Sequence, residues 1–315
     1  MKTIYYPDNS RCEGTFAATI GVFDGVHLGH RFLLNRLKQE AAQQGLQSMV
    51  ITFERPPRQV VQPAWKPELI TTPYEKIGLL SETGIDQVVV LRFDQQMASL
   101  SARDFMETVL HGQLGVRRLL TGYDNRFGHD RSEGFEDYRR YGSEIGLQVV
   151  CGTPLAVEGA NASSSRIRHL LKEGLVDEAR QCLGRPYSLD GQVVHGEQIG
   201  RTIGFPTANM QPDSDSKIIP QDGVYAVMAQ VEGLPMTMRG IMNIGTRPTF
   251  NGEKRTLETN VFDELGEIYD KRIRIWFISR LREERQFTSG EVLAKQIRRD
   301  KAEAEKRLDR YEQES

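Results

Sequence analysis

The stretch Gly21-Val22-Phe23-Asp24-Gly25-Val26-His27-Leu28-Gly29-His30 decides how the first half of this chain is read. It overlaps the end of an apolar run at 17–23 and precedes Phe32, Leu33, Leu37 and Ala41, which recur at helical spacing. A strand therefore runs into a helix, and Gly45 is placed to cap that helix at its C-terminal end. Further strand-length apolar runs lie at 49–53, 87–93, 118–121 and 148–151, with amphipathic segments between them. Thr72-Pro73-Tyr74-Glu75 reads as a capping box with proline at the first helical position. Alternation of this kind builds βαβ units and a parallel sheet, the architecture of a Rossmann-like α/β domain. Ligands of such sheets bind beyond the carboxyl ends of the strands.

The strand-to-helix junction carries the chemistry. His27 and His30 are three apart and lie near one side of the first helical turn. Backbone N–H groups and the helix dipole already favour an anion there, and imidazole N–H groups add donors for phosphate oxygens. Gly25 and Gly29 let a nucleotide approach the backbone closely. A bare H-x-x-H also suits a metal pair or two surface histidines; its position at the junction, with two glycines and Asp24, favours the phosphate reading. Neither a Walker P-loop nor a G-x-G-x-x-G fingerprint occurs in the chain. Ser164 and Ser165 stand at an expected helix start, able to cap it or to bind phosphate, with Arg168 one turn on to neutralise charge.

Near Gly184-Arg185-Pro186 the pattern changes. Short β-like runs at 192–195, 224–231, 236–242, 256–262 and 273–278 are separated by Gly, Pro, Asn and Asp, the signature of a small antiparallel barrel or sandwich. The chain ends in a helix, with a second capping-box pattern at Thr288 and Glu291 and Leu293, Ile297, Leu308 and Tyr311 along one face. Its Lys, Arg and Glu residues read as a solvated face. The expected domains are 1–183 and 184–315. In the second, 196–209 is glycine-rich and ends in Pro206-Thr207-Ala208-Asn209. Glycines spaced by four suit a loop that wraps phosphates. Thr207 and Asn209 are two apart, so in an extended segment both side chains face one way. Oxygen ligands of this kind suit Mg²⁺, which keeps phosphate and water ligands.

Composition excludes several classes. The 315 residues are 27% charged and 38% hydrophobic with a net charge of −2, an ordinary globular balance without the cationic footprint of a nucleic-acid binder. The longest apolar runs are strand-length, so no membrane span is expected. The N-terminus MKTIYYPDNS lacks a secretory apolar stretch, and Cys12, Cys151 and Cys182 form no C-x-x-C pair, so a cytoplasmic protein with structural thiols is expected.

These residues also carry a resemblance. G-x-F-D-G-x-H-x-G-H resembles the nucleotidyltransferase signature, in particular that of the bacterial bifunctional riboflavin kinase/FAD synthetases. Residues 121–128, with Asp124 and Asn125, and 163–168 are similar to two further elements of that family, and Gly200-Arg201-Thr202-Ile203-Gly204-Phe205-Pro206-Thr207-Ala208-Asn209 resembles the flavokinase signature. The strings at 223–227 and 243–250 follow in family order, and Glu258 falls in the position of the family's catalytic glutamate. The resemblance implies two ATP-dependent reactions, riboflavin to FMN and FMN to FAD. It implies that His27, His30, Gly21, Phe23, Asp24, Gly25, Gly29, Ser164 and Ser165 serve ATP in the adenylyl transfer. Arg168 then faces the leaving pyrophosphate, and Asp124 and Asn125 the flavin. In the kinase reaction it implies Gly200, Arg201, Gly204 and Pro206 for nucleotide or flavin, Thr207 and Asn209 for Mg²⁺, and Glu258 as general base. Leu257, Phe262 and the C-terminal helix are candidates for the isoalloxazine slot. Four positions depart from the family pattern, one of them Ser165, which replaces a threonine and keeps its hydroxyl. Pro56 and Asn260 stand where the family has histidines, and Asn125 where it has phenylalanine. The alternative is a nucleotidyltransferase of single activity with an accessory barrel.

Overall fold

The computed structural model describes residues 1–8, 12–122, 126–129, 132–152, 162–196, 204–249, 252–263 and 266–314. The chain divides into two compact units, Met1–Ser164 and Ser165–Ser315.

The first unit is built on six parallel strands: β1 (Lys2–Tyr6), β2 (Phe16–Ile20), β3 (Gln47–Phe53), β4 (Gln87–Leu91), β5 (Val116–Gly122) and β6 (Gln148–Gly152), in the order β1-β4-β3-β2-β5-β6. Between them run α1 (Leu28–Gln43), α2 (Pro57–Val61), α3 (Pro73–Ser81), the short turns α4 (Gln95–Ala98) and α5 (Ala102–Asp104), a π-spaced helix (Phe105–Gln113) and α6 (Phe135–Ile145). Helices cover both faces of the sheet, which explains why its strands read as continuous apolar runs. Residues alternate between two cores: Phe16, Ala18, Ile20, Met49 and Ile51 pack with Phe105, Leu110 and Tyr138, whereas Ala17, Val50, Val88 and Val90 pack with Leu34, Leu37 and Leu80. The edge strand β1 has no counterpart among the expected strands.

Local signals behave as the residues dictate. Thr72 and Glu75 form the reciprocal capping box that starts α3. Gly45, at φ +63°, ends α1 in a Schellman arrangement, with the Leu46 and Gly45 N–H groups donating to Ala41 and Ala42 carbonyls. One assignment changes: Phe32 is exposed, and Leu34 takes the buried place on α1 with Leu37 and Ala41.

The second unit opens with α7 (Ser164–Lys172, which begins at the division) and α8 (Val176–Leu183), so residues 165–183 pack with the barrel. The barrel is closed and antiparallel, in the order β10-β11-β8-β7-β12-β9, from β7 (Tyr187–Val194), β8 (Ala208–Pro212), β9 (Gly223–Val231), β10 (Met238–Thr249), β11 (Gly252–Val261) and β12 (Arg272–Arg282). Its interior is lined by Leu189, Val193, Tyr225, Val227, Met242, Leu257 and Phe277. The last helix, α9 (Gly290–Glu314), lays Ala304 and Leu308 on the outer face against Val224, Ala226, Ile241 and Ile278. Ser289, rather than Thr288, receives the Val292 N–H at its start. Asp300 departs from the solvated-face reading. It is buried and receives two nitrogens of Arg282 at 2.9–3.1 Å.

Leu308 is fully buried between α9 and the barrel. Leu308→Ala is expected to lower the stability of the second unit by about 2–5 kcal/mol, read as an earlier denaturant midpoint for loss of the barrel's tertiary signal.

Candidate functional site

Gly21 to His27 form the turn from β2 into α1, and this turn is held in costly backbone conformations. Phe23, Gly25 and Val26 have φ of +52°, +87° and +38°. Positive φ at a β-branched residue survives only where the surroundings over-determine it. Here the buried Asp24 carboxylate does so, accepting from Ile70 N at 3.0 Å, Thr71 N at 2.9 Å and Thr71 Oγ1 at 3.1 Å. Gly25 N donates to Thr71 Oγ1 and Ser164 Oγ to the Asp24 carbonyl. Asp24 thus faces the chain 46 residues downstream and acts on the turn. Glycine is required at 25 by φ and at 29 by space, because a Cβ on Gly29 would meet the Ala162 carbonyl and the His27 ring. Gly21 lies half-buried beside Phe23, which is itself in the core.

His27 is the N-cap of α1: its Nδ1 accepts from the His30 backbone N–H at 3.3 Å. That bond places the proton of a neutral His27 on Nε2, leaving a donor. The His30 ring stacks on His27, with centroids 3.6 Å apart, and meets the Phe23 edge at 5.0 Å. Burial, then the charges of His27 and Lys76, hold the His30 imidazole well below the usual histidine range. Its Nδ1 is buried without a partner among the described residues. Two stacked imidazoles at a helix N-terminus, that of His30 held neutral by its burial, form a surface suited to phosphate.

Lys76 was not among the sequence candidates. It is buried on α3, and its Nζ donates to the Val22 and Phe53 carbonyls. Burial pushes its pKa down to about 8. Ser165 is exposed on α7 in the second unit, and Arg168 is half-buried there. Asp124 and Asn125 lie outside the described residues, although the following Phe127 is fixed by stacking on Tyr138 and by its N–H donating to the Tyr138 hydroxyl. Pro56 precedes α2 without a side-chain cap.

In the second unit, strand register assembles the polar set. Asn209 on β8 pairs with Glu258 on β11, which pairs with Asn243 on β10, so three polar side chains form a row across three strands. Alternation puts this row on the outer face, the same face on which Ile241 meets α9. Thr207, two residues before Asn209, donates from Oγ1 to Glu258 Oε2 at 3.5 Å, and Thr256 Oγ1 to Oε1 at 3.5 Å. A Cβ on Gly196 would overlap the Asn209 carboxamide, so Gly196 lies directly on this residue. Asn260 donates to the Pro206 carbonyl at 2.7 Å and thereby fixes the Pro-Thr-Ala-Asn turn. Gly204 is exposed at φ +83°; Gly200 and Arg201 lie outside the described residues. Leu257 is a correction. It alternates with Glu258 and points into the barrel, 3% exposed, so it cannot line an outer slot. Phe262 lies on the outer face under α9, with Lys301 Nζ 4.7 Å from its ring centroid.

Asn243 escaped the sequence reading because only register brings it to Glu258; Thr256, two residues before Glu258 on the same strand, was legible from alternation and was missed. The oxygens of Thr207, Asn209 and Glu258 are hard donors that fit a divalent cation keeping phosphate and water ligands. Among the described residues no cluster of His, Cys, Asp and Glu forms a protein-only metal cage. Nor is any described helix long and apolar enough to cross a membrane.

Comparison with known proteins agrees with both halves. A family model for FAD synthetase matches residues 9–166, and one for riboflavin kinase matches 183–308. The second match overturns the reading of the barrel as a mere accessory. A bifunctional riboflavin kinase/FMN adenylyltransferase of Pseudomonas fluorescens is 37% identical over 95% of this chain and 93% of its own. Proteins of the same description from Escherichia coli K12 and Bacillus subtilis are 38% and 37% identical, each over 90% of this chain and 89% and 90% of their own. A crystal structure described as a macrolide-efflux protein from Streptococcus pneumoniae matches with a TM-score of 0.86 at 31% identity, over 96% of this chain and 98% of that one. With both catalytic modules present in one polypeptide and relatives aligned along nearly its whole length, this chain belongs to the bifunctional riboflavin kinase/FMN adenylyltransferase family.

Proposed function

We propose that this chain phosphorylates riboflavin to FMN, releasing ADP, and then adenylylates FMN to FAD, releasing pyrophosphate. The observation that carries this reading is the presence of two separate phosphate-suited constellations, one in each unit. One is the stacked His27–His30 pair at the start of α1; the other is the Thr207, Asn209 and Glu258 set on the barrel wall. We assign 1–183 to adenylyl transfer and 184–315 to the kinase; the family matches over 9–166 and 183–308 support this order along the chain.

In adenylyl transfer an FMN phosphate oxygen attacks the α-phosphorus of ATP in line, and the bond to the β-phosphate oxygen breaks. The protein's part is positioning and stabilisation of developing negative charge. His27, through Nε2–H, and His30 serve the ATP phosphates. Gly21, Phe23, Gly25 and Gly29 shape the nucleotide's approach, and Asp24 fixes the turn that carries them. Ser164 and Ser165 complete the phosphate contacts, and Arg168 takes the leaving pyrophosphate. Asp124 and Asn125 serve the flavin.

In the kinase reaction the ribityl 5′-hydroxyl attacks the γ-phosphorus, its proton passes to Glu258, and ADP leaves. Thr207 and Asn209 would hold Mg²⁺, which supplies charge neutralisation on the transferring phosphoryl group. Gly200, Arg201, Gly204 and Pro206 hold nucleotide or flavin. The protein acts on small molecules, with riboflavin, FMN and ATP as its partners, and the cytoplasm is the compartment where these meet.

Incubation with riboflavin, ATP and Mg²⁺, with the flavins separated over time, is expected to show FMN rising first and FAD following. FMN that accumulates without any FAD, or riboflavin left unphosphorylated, would remove one of the two sites. His30→Ala is expected to lower FAD formation by about 10²–10³-fold while FMN formation persists. Glu258→Ala is expected to lower FMN formation by about 10²–10⁴-fold and to spare FAD formation from supplied FMN. Assaying both steps on each folded variant checks this, and joint loss in either one would contradict separate sites.

A further inference from the structure

Lys76 occupies a position that helical periodicity gives to an apolar residue. It shares the buried face of α3 with Leu80, and only 7% of it is exposed. Its Nζ donates to Val22 O at 3.2 Å and Phe53 O at 2.8 Å. Val22 opens the strained turn after β2, and Phe53 is the last residue of β3. Thr52 Oγ1 donates to the same Val22 carbonyl at 3.1 Å. One ammonium therefore ties the turn to the neighbouring central strand, at the end of the sheet where ligands bind. Its charge reaches Asp24 on the turn and His30 on α1, and His30 also feels the charge of His27. A side chain whose only task was to fill this space would be apolar, because a buried charge costs stability unless its donors are satisfied.

We propose that Lys76 is a positioning residue for adenylyl transfer: its ammonium locks the 22–26 turn to β3 and so fixes the stacked His27–His30 pair at the start of α1. It acts through the Val22 carbonyl and through its charge at His30, without touching substrate. The inference rests on the two-activity reading above.

The test uses the full chain as wild type, Lys76→Met, Lys76→Gln and Lys76→Arg, with FMN formation from riboflavin as the internal control. The Met and Gln variants are expected to lose FAD formation about 10²-fold, the scale of a small displacement of a positioned group, while FMN formation is unchanged. NMR titration of the imidazole Cε1–H signals is expected to show the His30 pKa rising in Met and Gln but not in Arg, while burial and His27 still hold it below the ordinary histidine range. Wild-type FAD formation is expected to fall above about pH 8, as the ammonium loses its proton, and Lys76→Arg to move that limb to higher pH. Full FAD formation by a folded Met or Gln variant overturns the inference. So does an unaltered His30 titration in Gln together with an unmoved alkaline limb in Arg. Should Met fail to fold, Gln and Arg decide. If wild type makes no FAD from FMN, the two-activity reading itself fails, and the His30 titration still reports whether the lysine's charge reaches the pair.

Discussion

The Asp24 carboxylate, buried and accepting from Ile70 and Thr71, is the contact on which the first site depends. Residues 23, 25 and 26 all have positive φ, and non-glycine positions of that kind cost on the order of 1–3 kcal/mol each. A short peptide of this sequence would relax out of the turn. The folded chain prevents it by gripping the turn from three directions: residues 70–71 through Asp24, Ser164 through the Asp24 carbonyl, and Lys76 and Thr52 through the Val22 carbonyl. The consequence is a fixed entry into α1. His27 arrives as its N-cap and turns Nδ1 toward the His30 backbone N–H. The orientation of this imidazole at Nδ1 therefore follows from backbone geometry.

The second unit positions its polar set by another physical route. Strand register, fixed because a one-residue slip would turn every interior side chain outward, places Asn209, Glu258 and Asn243 side by side. Closure of the barrel removes free edges, and α9 covers the apolar part of the outer face. The polar row lies beyond that cover, on the same face. Precision comes from the ladder of backbone hydrogen bonds, which is rigid, and the residues bearing chemistry sit on it directly. The strained turn at 21–27 and the polar row on the barrel strands share no structural element, so a change in one leaves the other's supports in place.

Sequence reasoning reached the features with local causes. The capping box at Thr72, the C-terminal glycine at 45, the period-2 logic joining Thr207 to Asn209, and the strand-to-helix turn at 21–30 all depend on neighbours within a few residues. It fell short where the cause lies far along the chain. Asp24 looks like a ligand-facing acid until its donors, 46 and 47 positions away, are known. Lys76 looks like an exposed residue of an amphipathic helix, because nothing local reports that Val22 and Phe53 carbonyls wait at its tip. Asn243 reaches Glu258 only through the β10–β11 register. Leu257 is different: alternation with Glu258 already argued that the two cannot face the same ligand. The match of Asn260 to a family histidine likewise becomes intelligible only in three dimensions, where its amide holds the Pro206 carbonyl.

The energetics of Lys76 run against its retention as a purely structural group. Its folded pKa, about 8, lies below the ordinary value of 10.5. Between those two values the unfolded chain binds more protons than the folded one at this position, so the group's contribution to stability rises with pH across that window. At neutral pH, below that window, the folded first unit carries the ammonium, and the lowered pKa records the stability this charge costs relative to the unfolded chain. Strain at Phe23 and Val26 is a second concession, made in the same turn and tied to the same carbonyl of Val22. Two losses of stability that meet at one turn are what a fold accepts where function, rather than packing, sets the conformation.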